Sequence, residues 1–309
     1  PFQSDVYGLY KRFMLGKLEV VNMTTGELYE PQQFYKNGKE VIVSEATVRN
    51  ILNDPQFKAV VNMKRLDHSD YNKEFRPHAH RAKPMYSLSK VSMDDYDIPQ
   101  KMHDGKSVKA YYVFDVASDA IIGVAYSKLK NDSLFMECMR NMFSTLHRNN
   151  CGVPLEVEVE HHLVNQHKET MMKAGNLFQH VRWCNPGNSQ EKRAEHLIKK
   201  KKYQFAKKHQ ANIGRWYAKS KAYRSKTNKV YDEHNDTFKT KTYSFEEIVD
   251  MDMFIINEMN ASLHPNQKLY PGKSCWNVFL ENQNPNCKKL HDVEWSKYIG
   301  IKRETSIKR

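Results

Sequence analysis

Apolar and polar positions change rhythm several times along the chain. Before residue 40, short apolar stretches alternate with the turn signals Thr24-Thr25-Gly26 and Asn37-Gly38, which predicts a small strand-containing element. Val43 to Leu52 then sets Val48, Ile51 and Leu52 on one helical face behind Ser44, whose hydroxyl suits an N-cap. Thr47, Arg49 and Asn50 are left outward. A short helix after a turn is what a helix-turn-helix reader lays in the major groove, and a plain amphipathic helix carries the same pattern. From about Asp67 to Gly105 the chain is polar and punctuated by Pro77, Pro84 and Pro99, which predicts an extended linker.

From Lys109 onward the rhythm is that of a packed domain. Ala110 to Val116 and Ala120 to Ser127 are β-branched and aromatic runs around the polar turn Ser118-Asp119, a hairpin of two buried strands. Asp132 to Asn149 carries Leu134, Phe135, Cys138, Met139, Met142, Phe143 and Leu146 at helical spacing. After the Cys151-Gly152-Val153-Pro154 break, Leu155, Val157 and Val159 alternate with Glu156, Glu158 and Glu160, a strand with one acidic face. Another helix, a short strand over Leu177 to Trp183, a loop at Asn185 to Ser189 and a long basic helix from about Gln190 follow. Strand pair, helix, strand, helix, strand, helix is an α/β layout with a mixed sheet.

Composition narrows the classes. A length of 309 residues is enough for about two domains. The balance of 39% hydrophobic to 28% charged residues is that of a globular chain rather than a disordered one. No apolar run approaches the roughly 18 residues of a membrane span, so no membrane partner is expected. The first residue is Pro1 and no basic-then-apolar leader follows, so we expect a piece of a longer chain without a targeting signal in view. Five cysteines at wide spacings, with no Cys-x-x-Cys pair, argue against a zinc ribbon or a secreted disulfide framework and favour a reducing cytoplasm. His161, His162 and His167, or His78 and His80, invite a metal reading, but no cysteine pair completes a zinc-finger spacing, and surface or hydrogen-bonding histidines are favoured.

Charge changes the picture more. The chain carries a net +13, and the stretch Lys192 to Lys229 holds 14 Lys and Arg against the single acid Glu195. Interleaved with Tyr203, Phe205, Trp216, Tyr217 and Tyr223, that block offers both charge and stacking groups to a polyanion. A solvated helix face would carry mixed signs, so nucleic acid is the favoured partner.

Three acids stand out within this frame. Asp115 ends the first buried strand between Phe114 and Val116, where a carboxylate is costly unless it is paired or binds a metal. Glu160 ends the alternating strand, and Glu195 is the lone acid of the basic block. Singly, Asp115 could cap a turn, Glu160 could be solvated and Glu195 could pair with Lys199. Three carboxylates from three elements are also what two Mg²⁺ ions need to grip an in-line phosphoryl transfer.

The stretch from about Lys109 to Leu280 resembles the retroviral-integrase-like catalytic core of DDE transposases, particularly the phage Mu transposase type. The first motif is Phe114-Asp115-Val116 running through a turn into Ile121-Ile122-Gly123. The second is Gly152-Val153-Pro154 followed by Glu160, and the third is Asn185-Pro186 with Lys192-Arg193-Ala194-Glu195-His196. The separation of Glu160 and Glu195 is close to the family's usual one. Asn260, His264-Pro265 and Gly272-Lys273-Ser274 are similar to the family's ending. The family has Asp at the second position where this chain has Glu160, an oxygen ligand longer by one methylene; Glu158 is the less favoured substitute.

The resemblance implies a ribonuclease-H-like mixed sheet flanked by helices over residues 109–285, preceded by an amino-terminal helix-containing DNA-binding region over 1–66 and a linker over 67–108. Residues 286–309 would be a carboxy-terminal extension that starts a further domain. It also implies cleavage of DNA at element ends and joining of the freed 3′ hydroxyls to target DNA. Asp115, Glu160 and Glu195 would be the catalytic ligands of two Mg²⁺ ions, with Mn²⁺ able to substitute. Lys199 and Lys202, at i+4 and i+7 from Glu195, would hold DNA phosphates beside the metals, together with Lys192 and Arg193 at the start of the same helix. Thr47 and Arg49 would help read the element ends. Expected partners are element-end and target DNA, further copies of the chain on DNA and a helper ATPase, in a cytoplasmic, nucleoid-associated protein of bacterial or phage origin. A structure-selective nuclease on the same fold and a non-catalytic DNA-binding descendant are the alternatives.

Overall fold

The computed structural model describes residues 3–66, 71, 75, 82–184, 192–210, 213–214, 224–225, 229–289 and 292–301. The chain divides into two units, residues 1–80 and 81–309.

In the first unit, helix α1 (Gln3–Met14) is followed by a two-stranded antiparallel ribbon, β1 (Val20–Val21) and β2 (Leu28–Tyr29), and by helices α2 (Glu45–Asn53) and α3 (Pro55–Arg65). Ser44 caps α2 as its sequence predicts, its Oγ accepting from the Thr47 N–H at 3.2 Å. Asp54 alone separates α2 from α3 and caps α3 through the Gln56 N–H at 2.9 Å. One residue is shorter than the three- or four-residue turn of a helix-turn-helix, so α2 and α3 do not form that motif.

The second unit is mixed α/β. Strands β3 (Lys90–Lys101), β4 (Ser107–Asp115), β5 (Ile121–Ser127), β6 (Glu156–Glu160) and β7 (His180–Cys184) form one sheet in the order β5-β4-β3-β6-β7. β3, β4 and β5 are successively antiparallel, and β6 and β7 run parallel to β3. Helix α4 (Asp132–Arg148) lies between β5 and β6 in the chain. After β7 come α5 (Arg193–Lys200), a π-helical turn over Lys201–Ala206, the small ribbon β8 (Lys229–Asp232) and β9 (Thr237–Thr240), and helices α6 (Phe245–Ala261), α7 (Cys275–Glu281) and α8 (Asp292–Ile299).

Two expectations are corrected here. The central strand β3 lies inside the stretch 67–108 expected as linker. Val91 and Met93 face one core while Ser92 and Asp94 face the other side, and those polar side chains, being covered, make the segment read as loop. Pro99 sits where the β3–β4 register shifts between Asp97 and Lys101, the sheet position that tolerates it. The helix expected between β6 and β7 is absent among the described residues, where turns and a short 3₁₀ segment (Asn165–His167) take its place. Leu163 at φ 66° cannot extend a right-handed helix.

Helices cover both faces. On one, α4 packs Leu134, Phe135, Met139, Met142 and Phe143 against Val91, Met93, Tyr111 and Val113, with α7 and α8 beside it. On the other, Ala194 and Leu197 of α5, Phe205 of the π turn and Ile255 and Met259 of α6 pack against Ala110, Tyr112 and Phe114. Gly123 has a steric reason: a Cβ there would stand 2.8 Å from Met142 Cβ, so only glycine lets α4 approach β5 this closely.

Candidate active site

Sheet register decides which acids meet. In antiparallel β3 and β4, Asp94 is opposite Tyr112 and Val91 is opposite Asp115. Opposed residues share a face and alternate residues switch, so Asp94 joins Tyr112 and Phe114 under α5, while Asp115 joins Tyr111 and Val113 on the α4 side. The two aspartates are also separated by three residues along the strands, roughly 10 Å. Asp115 therefore does not meet Glu160 and Glu195. Fully buried, it accepts from the Leu88 N–H (2.7 Å), the Ser118 N–H (2.8 Å) and the Ser118 hydroxyl (2.6 Å). Burial pushes its pKa up against those bonds, and its role is to close the β4–β5 turn.

β6 runs parallel to β3 with Ser92 beside Glu158, and two residues further along are Asp94 and Glu160. The two acids of β6 divide their work. Glu158 is 3% exposed and spent on structure: it pairs with Lys90 (3.2 Å), lies 3.9 Å from Arg182, and accepts from the Arg193 N–H at 3.3 Å. Ser92 Oγ accepts from the next amide, Ala194, at 2.9 Å. The first two N–H groups of α5 are thus docked on β6 and β3, which fixes where Glu195, in the first turn, must lie.

Asp94 and Glu160 converge on the ammonium of Lys192, at 2.5 Å and 2.8 Å. Lys192, expected as a DNA contact, is only 1% exposed and sits inside the acidic cluster. Burial lowers its pKa, and Asp94 and Glu160 more than restore it, so the net shift is upward. Burial likewise lifts Asp94 to about 6 despite Lys192, with Asp95 and Glu160 adding to the rise. Glu195 is half-buried. Desolvation raises its pKa, Lys192 opposes this and Glu160 reinforces it, so the third acid feels the charges of Lys192 and Glu160. Among the described residues no three His, Cys, Asp or Glu side chains form a ready metal cage. Asp94, Glu160 and Glu195 nevertheless supply only carboxylate oxygens, the donors Mg²⁺ takes, and two of them already share a cation. The donor set fits a hard divalent ion.

The remaining expected residues separate. Arg193 reaches to 4.0 Å of Asp119, a 2%-exposed carboxylate that also holds Lys83 (2.6 Å) and Lys200 (3.1 Å). Lys199 is exposed. Lys202 lies within the π turn, its ammonium 5.4 Å from the Tyr203 ring, so helical i+7 spacing from Glu195 does not carry through to it. The π turn is anchored by Lys201, buried against Asp252 and bonded to Tyr112 Oη at 3.0 Å. In the first unit, Thr47 Oγ1 bonds Ser44 Oγ (3.0 Å) and Arg49 pairs with Glu45 (3.2 Å), both at the surface of α2. Asn185 to Ser189, Trp216, Tyr217, Tyr223, His78, His80 and Lys302 to Arg309 lie outside the described residues.

The terminal motif proves structural. Asn260 grips both backbone groups of Ile121 (2.8 and 2.9 Å), and buried His264 donates from Nε2 to the Ala117 carbonyl at 3.1 Å while Nδ1 accepts from the Asn266 N–H. Asp94 is the acid of this cluster that sequence reading missed. Its signal was the alternation Val91-Ser92-Met93-Asp94, which supplies the middle strand that a β4–β5 hairpin beside a parallel β6 requires. No helix is long and apolar enough among the described residues to cross a membrane. No protein-family model matches the chain, and no curated protein matches its sequence.

Proposed function

We propose that this chain is a divalent-metal-dependent DNA transferase of the DDE transposase type, with Asp94, Glu160 and Glu195 as its three carboxylates. One observation carries the reading: acids on two adjacent parallel strands share a buried cation, and a helix docked by its N-terminus onto those same strands brings the third. A five-stranded mixed sheet covered by helices on both faces is compatible with a ribonuclease-H-like core.

Two Mg²⁺ ions, when bound, would activate the attacking oxygen and stabilise the departing 3′ oxygen. Asp94 on the central strand, Glu160 at the end of β6 and Glu195 in the first turn of α5 would hold them through their carboxylate oxygens. Lys199, exposed one turn beyond Glu195, would track the DNA backbone.

The test is incubation with element-end DNA and plasmid in Mg²⁺ or Mn²⁺, scoring cleavage and strand transfer. Transfer by the wild type that is lost in Asp94→Asn, Glu160→Gln and Glu195→Gln supports the reading. Cleavage without joining identifies a nuclease instead, and DNA binding with neither activity identifies a non-catalytic DNA-binding protein.

A further inference from the structure

Lys192 is among the largest fully buried side chains of the protein. An ammonium removed from water costs several kcal/mol unless its charge is matched, and here it is matched by two carboxylates on neighbouring strands. The arrangement has a mechanical peculiarity. Lys192 is the N-cap of α5, with extended backbone (φ −105°, ψ 122°), and it makes no side-chain cap bond to the helix. The helix start is held by Glu158 and Ser92 instead. The Lys192 side chain can therefore leave the cluster without unwinding α5 or moving Glu195.

The ammonium occupies one oxygen of each of Asp94 and Glu160, and a divalent ion held by both carboxylates through their other oxygens would lie within a few ångströms of it, where like charges repel strongly. We propose that Lys192 is an internal counter-ion that holds the cation position between Asp94 and Glu160 and is displaced when a divalent metal ion binds. This inference rests on reading Asp94, Glu160 and Glu195 as metal ligands. It gives the lysine two states: bridging the acids before metal enters, and released afterwards with its charge at the edge of the cluster. The bridge keeps Asp94 and Glu160 from repelling each other until metal arrives, and it lowers the affinity for that metal.

The test uses the full chain without DNA and Mn²⁺ as the probe, with free Mn²⁺ followed by electron paramagnetic resonance. Lys192→Gln, folded as judged by circular dichroism, is expected to bind Mn²⁺ at least about tenfold more tightly than wild type, a gain equal to one decade of affinity. Lys192→Arg keeps the cation and is expected to bind no more tightly than wild type. A second measurement needs no variant: acetic anhydride labelling of the Lys192 amine in the wild type, read by mass spectrometry, is expected to rise several-fold at saturating Mn²⁺. Equal or weaker Mn²⁺ binding by folded Lys192→Gln overturns the counter-ion role, as does labelling that Mn²⁺ does not change. If Mn²⁺ binding persists in those cases and is lost in Asp94→Asn and Glu195→Gln, the metal-ligand reading stands alone. Absence of Mn²⁺ binding by every one of these proteins overturns both.

Discussion

Asp115 and Asp94 offer a direct contest between the acid that reads as catalytic in sequence and the one that meets Glu160 in space. In Asp115→Asn the amide oxygen can keep both Ser118 bonds, but the amide nitrogen then faces the Leu88 N–H, donor against donor. One buried, unsatisfied backbone amide costs about 1–3 kcal/mol, and weakening two charge-assisted bonds to neutral ones costs about 1–2 kcal/mol more. Against this, the neutral amide avoids the desolvation that pushes the Asp115 pKa up. The net destabilisation is about 1–3 kcal/mol, which for a unit of some 200 residues lowers Tm by roughly 3–10 °C. Asp94→Asn removes charge from a cluster in which Glu160 still pairs with Lys192. It should shift Tm less while lowering strand transfer by about a hundredfold or more through loss of a metal ligand. The assay pairs thermal melts with transfer activity per folded molecule, measured well below both midpoints. Normal stability with no activity in Asp115→Asn, together with retained activity in Asp94→Asn, would refute the face assignment.

The two glutamates of β6 should separate in the same way. Glu158→Gln weakens its contacts with Lys90 and the Arg193 N–H while Lys90 keeps Glu156, and it is expected to cost about 1–3 kcal/mol in urea unfolding while transferring strands once folded. Glu160→Gln leaves buried Lys192 with Asp94 alone and should also lose stability, by about 1–3 kcal/mol, but it should be inactive even when folded, and the reverse pattern of activity would move the site by one pleat. Asp119 carries the clearest acid-side linkage, because Lys83 and Lys200 overcome its burial and hold its folded pKa below the unfolded value of 3.8. Its stabilisation is present above that value and lost as pH falls through the lowered folded pKa. Urea midpoints of wild type should therefore drop below about pH 4, whereas Asp119→Asn should lack that part of the drop. Lys199→Ala should reduce the slope of log affinity for DNA against log salt by about one, with an unchanged melt; an unchanged slope would assign Lys199 to solvent.

Local pattern alone determined much of the second unit and one helix cap of the first. The hairpin of β4 and β5, the seven buried positions of α4, the alternation of β6 and the Ser44 cap all follow from periods of two and 3.6 residues and from the chemistry of one hydroxyl, information carried within about ten residues. Glu160 and Glu195 stand out as candidates for the same reason, each being an acid at the end or start of a readable element. Asp94 was not. Its strand is central, and its polar side chains are satisfied by a lysine nearly a hundred residues away, so nothing nearby marks it as buried. The roles of Asp115 and Lys192 were likewise decided by tertiary structure. A carboxylate at a strand end and a lysine at a helix start look alike in sequence whether they meet metal, phosphate or backbone. Only strand register, which sends alternate residues to opposite faces, gave Asp115 to the β4–β5 turn and set Lys192 between Asp94 and Glu160.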